Sequence, residues 1–518
     1  MKGSTVPNNQ HLTSGRVLAR NTLWTLSADG ASIIIALVSI PILVNYLGTE
    51  RFGVVALAWS VVGQFGLFDL GLSRALTKLV SEKLGARREQ DIPGLFWASL
   101  VILLISGSAG ALVMALLTPT LVNHLLTVPS FLRLETQNSF YLLAVAFPIL
   151  VSSAGLRGFL EGCQRFDLIS LVRVPISLFS HLGPLLVLPF SRSLVPVILV
   201  LVAGRFIGWG LHMLQCVSAM PSLRRNITFQ GAPIGAMFRF GGWMTVTNVM
   251  YPIMVTMDRF FIGALVSIAA VAYYVTPYEV VTKLWIIPSA IVGVLFPAFS
   301  TAFAQDRQRA TLLVEKGLKC TFLALFPVVL LLIAAGHLGL QLWLGTAFAQ
   351  ESAAVLQWLA FGVFINSLGQ IPYWQVQGAG RPDLTAKLHM IELPLYLLTF
   401  WFLTRRFGIQ GAAVAWTLRV TLGSIAVFIL ALRLLPESMP DIRRFSWMFL
   451  GASSVFCVTA LLTNMTARAG FIFLVFLVFL PFTWFRLLTS QERLLLHNPF
   501  KLFTVSEDSL SELKKAAI

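Results

Sequence analysis

Of the 518 residues, 57% are hydrophobic and only 12% charged, with a mean hydropathy of +0.81. So little polar surface cannot clothe a soluble globule, and the composition specifies a polytopic membrane protein. The net charge of +16 does not signal nucleic acid, because Lys and Arg stand singly or in pairs between apolar runs and form no basic stripe with interleaved aromatics.

A hydrocarbon core of about 30 Å takes about 20 apolar residues per helix, which predicts an all-α protein with about fourteen transmembrane helices. A polar tail, 1–20, leads into an N-terminal six-helix lobe, 21–220, with spans at 22–46, 53–79, 95–121, 138–160, 168–190 and 194–218. A basic linker, 221–236, precedes a C-terminal six-helix lobe, 237–436, with spans at 237–264, 268–299, 318–344, 353–377, 385–404 and 409–434. Two additional helices follow within 437–489, at 446–464 and 470–489, and then a polar tail, 490–518. Lys and Arg gather in every second loop (Lys83, Arg87 and Arg88; Arg157 and Arg165; Arg224 and Arg225; Arg307 and Lys316; Arg381 and Lys387; Arg443 and Arg444), so both termini are expected in the cytoplasm. The Arg405-Arg406 pair is the exception to this pattern.

The stretch from Gly378, GAGRPDL, has an earlier counterpart from Gly162, GCQRFDL, which lays Arg165 on Arg381 and Asp167 on Asp383. Carried onward with a shift of about two residues, the offset brings Arg205 close to Arg419. This pattern predicts an internal parallel repeat relating the two lobes about an axis along the membrane normal.

A charge at the centre of a membrane helix costs about 2.5–3.5 kcal/mol on insertion scales, so those retained are paired, snorkelling or used. Asp29, Asp69, Arg74, Arg173, Arg205, Asp258, Arg259, Glu279, Lys283, Glu392 and Arg419 all fall inside predicted spans. Together they imply a water-accessible interior. Arg74 and Arg173 lie near helix ends and can snorkel, whereas Arg205 and Arg419 lie midway. Glu279 and Lys283 are one turn apart and can neutralise each other; Asp258 and Arg259 point about 100° apart and cannot pair simply. Pro41, Pro252, Pro277, Pro288 and Pro394 put kinks into largely the same helices.

The order of these motifs carries a resemblance: Asn21-Thr-Leu-Trp24, Tyr46-Leu-Gly-Thr-Glu-Arg-Phe-Gly53, Asp69-Leu-Gly-Leu72 with Arg74 and Lys78, Asp258-Arg259 before Phe261-Ile-Gly263, Phe296-Pro297 and Gly380-Arg-Pro-Asp383. The chain resembles the bacterial polysaccharide flippases, which carry O-antigen or exopolysaccharide units on a lipid within the multidrug/oligosaccharidyl-lipid/polysaccharide (MOP) superfamily. The resemblance implies a MATE-like pair of six-helix lobes around a central cavity that passes a polyprenyl-diphosphate-linked oligosaccharide across the inner membrane, with no catalysis. The implied partners are that lipid-linked glycan, the membrane lipids and other polysaccharide assembly proteins, with H+ or Na+ as the coupling ion. A diphosphate calls for fixed cations with forked donors. Arg205, Arg259, Arg419, Lys283, Arg74 and Arg173 are candidates for that role, Trp24 and Tyr274 for the glycan, and Asp29, Asp258 and Glu279 for ion coupling. The alternatives are a MATE-type cation-coupled drug antiporter and a lipid II flippase. A membrane glycosyltransferase or polymerase fits less well, since no loop is long enough for a catalytic domain and no cofactor or metal fingerprint is present.

Overall fold

The computed structural model describes residues 35–63, 69, 71–86, 88–227, 254–292, 307–379, 381–436, 439–488 and 493. They are helical almost throughout, as the absence of water from the membrane requires of a backbone that must satisfy itself. In chain order the helices are α1 (Ile35–Leu47), α2 (Thr49–Gly63), α3 (Leu72–Gly85), α4 (Ile92–Thr120), α5 (Arg133–Gly162), α6 (Phe166–Val187), α7 (Leu194–Ala219) and the short α8 (Ser222–Arg225). Then come α9 (254–265), α10 (Ile268–Thr282), α11 (Arg307–Leu344), α12 (Thr346–Gly378), α13 (Pro382–Leu434), α14 (Met439–Leu461) and α15 (Met465–Phe482).

Among the described residues, 8 helices are long and apolar enough to cross a membrane, and α1 and Phe445–Leu461 of α14 are shorter apolar helices. The expectation of about fourteen is therefore corrected. Predicted span two, 53–79, is not one apolar helix: α2 is 15 residues, about 22 Å, and α3 is an amphipathic helix carrying Arg74, Lys78, Glu82 and Lys83. Asp69, expected inside that span, instead caps α3, accepting from Ser73 N at 3.1 Å and Ser73 Oγ at 2.5 Å, with Gly71 turning the chain at φ 68°. Spans one, seven and eight fall partly outside the described residues. Spans eleven and twelve run together in α13, which folds back at Gly408 (φ 59°, ψ −142°). Its arms are so close that a Cβ on Gly411 would lie 2.0 Å from the Leu403 carbonyl oxygen and one on Gly423 2.9 Å from Glu392 Oε1. The expected two six-helix lobes related by an internal repeat are likewise not established. The loops that suggested them do share a local geometry: Arg165 grips Asp167 with two hydrogen bonds of 3.0 and 2.9 Å, and Arg381 grips Asp383 with two of 3.0 and 3.2 Å.

By contacts the described residues form two compact units. The first draws on the chain up to Ile286, on His337–Val363 and on Arg381–Ala426; the second draws on Ile287–Gly336, Phe364–Gly380 and the chain from Val427. In the first, small residues let helices approach closely, as is usual where lipid provides no hydrophobic drive. A Cβ on Gly107 of α4 would meet Pro148 Cα of α5 at 2.6 Å, and one on Gly53 of α2 would meet the Ile268 carbonyl oxygen of α10 at 2.0 Å. The hydroxyl of Thr77 on α3 donates to the Gly158 carbonyl of α5 at 2.8 Å, and Trp209 Nε1 of α7 donates to Ser152 Oγ of α5 at 2.9 Å. Near the end of α9, the Gly263 carbonyl accepts both the N–H and the hydroxyl of Thr127, at 2.9 and 2.7 Å.

The second unit is held by stacked and edge-on phenylalanines: Phe326 packs on Phe322, Phe456 and Phe479, and Phe364 on Phe449 and Phe456. Two cations pin the last helices to α11. Lys319 donates to the Leu487 carbonyl at 3.3 Å, and Arg468 donates to the carbonyls of Ala334, at 3.0 Å, and Leu462.

Candidate functional site

The candidate site lies in the first unit and is built on α9 and α10. Asp258 is almost completely enclosed; its carboxylate accepts the Arg259 backbone N–H at 2.8 Å and the Tyr274 hydroxyl at 3.0 Å. Adjacent helical positions diverge, so the Arg259 guanidinium leaves Asp258 and turns to α10 and α2. There it donates to Glu279 Oε1 at 3.1 Å and to Ser60 Oγ, and it lies over the Tyr278 ring at 5.3 Å. Glu279 is shared, since its other oxygen stands 3.4 Å from Lys283 Nζ, one helical turn on. Exposure separates the three charges: the Arg259 side chain is 9% accessible, while Glu279 at 35% and Lys283 at 38% face open space.

Aromatic rings continue the wall. Tyr274 stacks on Tyr278, and Tyr278 meets Trp416 of α13 edge-on at 5.7 Å. In α13 the Arg419 guanidinium lies over the Tyr396 ring at 5.1 Å and 3.9 Å from Glu392, which also receives His389 Nδ1 at 3.0 Å. Tyr396, Arg419 and Asp258 lie within electrostatic reach of one another. On the other side, Arg205 of α7 donates to the hydroxyl of Ser180 on α6 at 3.2 Å, a neutral acceptor. The next residue on α6, His181, packs its ring on Trp59 of α2 at 5.5 Å and lies within reach of Lys283, Glu279 and Arg205.

The structure thus brings together five of the residues picked out in the sequence: Tyr274, Asp258, Arg259, Glu279 and Lys283. It sets Arg419 and Arg205 at the margins. Arg74 and Arg173 are exposed, on α3 and α6; Arg74 is within reach of Asp69, and Arg173 of Arg157. Trp24 and Asp29 lie outside the described residues. Ser60, His181, Tyr396 and Trp416 were not singled out in the sequence. Their contacts are made with residues remote in the chain or across the fold of α13, and a lone hydroxyl, imidazole or indole in an apolar run has no local signature. Among the described residues no group of His, Cys, Asp and Glu is arranged to hold a metal ion.

A polytopic helical fold around a charged, aromatic-walled interior is that of a transporter of the MOP superfamily. The chain is similar to a multidrug resistance MATE family transporter in its inward-facing conformation (TM-score 0.68, 14% identity, 81% of this chain and 99% of that one). It is also similar to the lipid II flippase MurJ in an inward closed conformation (TM-score 0.67, 13% identity, 90% and 99%). Within the superfamily the chain belongs to the polysaccharide biosynthesis protein family, which matches residues 18–303. A putative O-antigen transporter of Shigella flexneri is 30% identical over 414 residues, 79% of this chain and 96% of that protein. The chain is accordingly a polytopic bacterial inner-membrane protein of this superfamily, and its family is one of transporters, not enzymes.

Proposed function

We propose that the transporter passes a polyprenyl-diphosphate-linked oligosaccharide from the cytoplasmic to the outer leaflet, with both termini cytoplasmic and the movement coupled to an ion at Asp258 or Glu279. The observation that supports this most directly is the shared carboxylate: Arg259 and Lys283 both hold Glu279, at 3.1 and 3.4 Å, and Arg205 nearby holds only a hydroxyl among the contacts described. A diphosphate carries more acceptor oxygens and more charge than one carboxylate. It can take the Lys283 ammonium and a face of the Arg259 guanidinium, bridge to Arg205, and free Glu279 for the coupling ion. The tyrosines and Trp416 offer flat surfaces and hydroxyls suited to sugar rings.

A second reading is favoured by the fold likeness, which is to multidrug transporters and to a lipid II flippase. In that reading the cargo is a cationic drug drawn to Asp258, Glu279 and Glu392, or is lipid II itself. Reconstituted protein offered a fluorescent polyprenyl-diphosphate oligosaccharide, lipid II or a cationic dye in separate vesicles distinguishes the three. Movement of the dye alone sinks the diphosphate reading.

A further inference from the structure

His181 is a titratable side chain at this site that the proposed cycle leaves unused. It sits on α6 between two functional contacts of neighbouring residues. Ser180, one position earlier, holds Arg205; Trp59, against which the His181 ring packs at 5.5 Å and 66°, is followed by Ser60, which accepts from Arg259. The ring therefore stands where the α2, α6 and α7 side of the site meets the α10 side. Its Nδ1 is buried and makes no hydrogen bond among the described residues.

The charged groups within reach of it on the neighbouring elements are Arg205 on α7, Glu279 on α10 and Lys283 just after α10. Farther out, Arg157 on α5 lies within reach of Arg205, and Arg173 on α6 within reach of Arg157. The carboxylate in this set, Glu279, is already engaged by two cations. Among the described groups that face His181, a proton on its ring would thus add a positive charge where the one carboxylate is already engaged. A bound diphosphate reverses that balance.

Resting on the diphosphate reading, we propose that His181 is a proton-linked contact for the anion: the ring takes a proton from solvent as a diphosphate settles between Arg205 and Lys283, and returns it when the diphosphate leaves. The imidazolium then supplies a charge-assisted hydrogen bond that the neutral ring lacks. Affinity and protonation become reciprocal, each raising the other by the same factor. One charge-assisted contact corresponds to an affinity about tenfold tighter at about pH 6 than at about pH 8.

The test uses the full-length protein in detergent with farnesyl diphosphate as the probe. Binding is measured by calorimetry in buffers of different ionisation enthalpy, which gives protons taken up per anion bound. The expected result is uptake by the wild type that is absent from His181→Gln, with the Gln variant binding at low pH about as weakly as the wild type does at high pH. His181→Arg, which carries a fixed charge, binds equally at both. Gel-filtration elution identical to wild type confirms that the variants are folded. Undiminished proton uptake in both variants assigns the proton to another group, Glu279 first, and overturns the His181 inference while leaving the diphosphate reading standing. Failure of the wild type to bind farnesyl diphosphate at either pH overturns both.

Discussion

Replacing Arg259 by Ala removes a side chain that is 9% accessible and makes three contacts: a 3.1 Å ion pair with Glu279, a hydrogen bond to Ser60, and a 5.3 Å stack over Tyr278. Breaking a buried ion pair from one side costs about 3–5 kcal/mol, because the remaining charge is stranded. Here the low end, about 3 kcal/mol, applies, since Glu279 is about one-third exposed and keeps Lys283 at 3.4 Å. Adding Glu279→Gln removes the stranded charge, so the double variant should recover about half or more of that loss in thermal or denaturant unfolding. Transport is predicted to behave differently. If Arg259 binds diphosphate, the double variant regains stability without regaining movement of the lipid-linked glycan, measured in vesicles at matched protein content. Arg259→Lys should restore movement only in part, because a point charge lacks the paired donors. Recovery of both stability and transport in the double variant would refute the reasoning and leave Arg259 as a structural partner of Glu279.

Gly53→Ala places a methyl 2.0 Å from a backbone oxygen of α10, a contact that cannot be relieved by a side-chain rotation. A loss at or above the usual overpacking range of about 1–3 kcal/mol is expected, and an unchanged melting temperature would show that α2 and α10 are not so closely apposed. Arg468→Ala removes donors to the carbonyls of Leu462 and Ala334 and should cost about 1–2 kcal/mol. Limited proteolysis should then cut the turn between α14 and α15 faster while α5 and α7 stay protected; equal cleavage rates would remove Arg468 from its anchoring role. Burial pushes the Cys163 thiol up to about 11. Its reactive thiolate is therefore scarce at neutral pH, and maleimide labelling should keep rising well beyond the pH at which an ordinary cysteine levels off. A plateau near pH 9 would contradict that burial.

The membrane class and helical content were legible from composition because lipid exposes no alternative to satisfied backbone. The divergence of Asp258 from Arg259 and the pairing of Glu279 with Lys283 were legible too, since both follow from helix geometry over a few residues. The number of crossings was not. An apolar count cannot see that α2 is 15 residues long, or that Asp69 and Gly71 stand just before a separate, amphipathic α3. The GCQRFDL and GAGRPDL loops do share the same Arg–Asp grip, yet a shared turn does not establish a shared lobe. Ser60, His181, Tyr396 and Trp416 became visible only through partners more than a hundred residues away or across the fold of α13.

The claim that matters most is that the interior cations recognise a diphosphate lipid. Purified protein is reconstituted with a fluorescent polyprenyl-diphosphate oligosaccharide in one leaflet, and its appearance in the other is timed by an impermeant quencher. The account predicts protein-dependent movement that is slowed at least tenfold in Arg259→Ala, Lys283→Ala and Arg205→Ala variants that remain folded. Movement that is unchanged in all three, or that is equally fast for the same glycan on a lipid without phosphate, would contradict it.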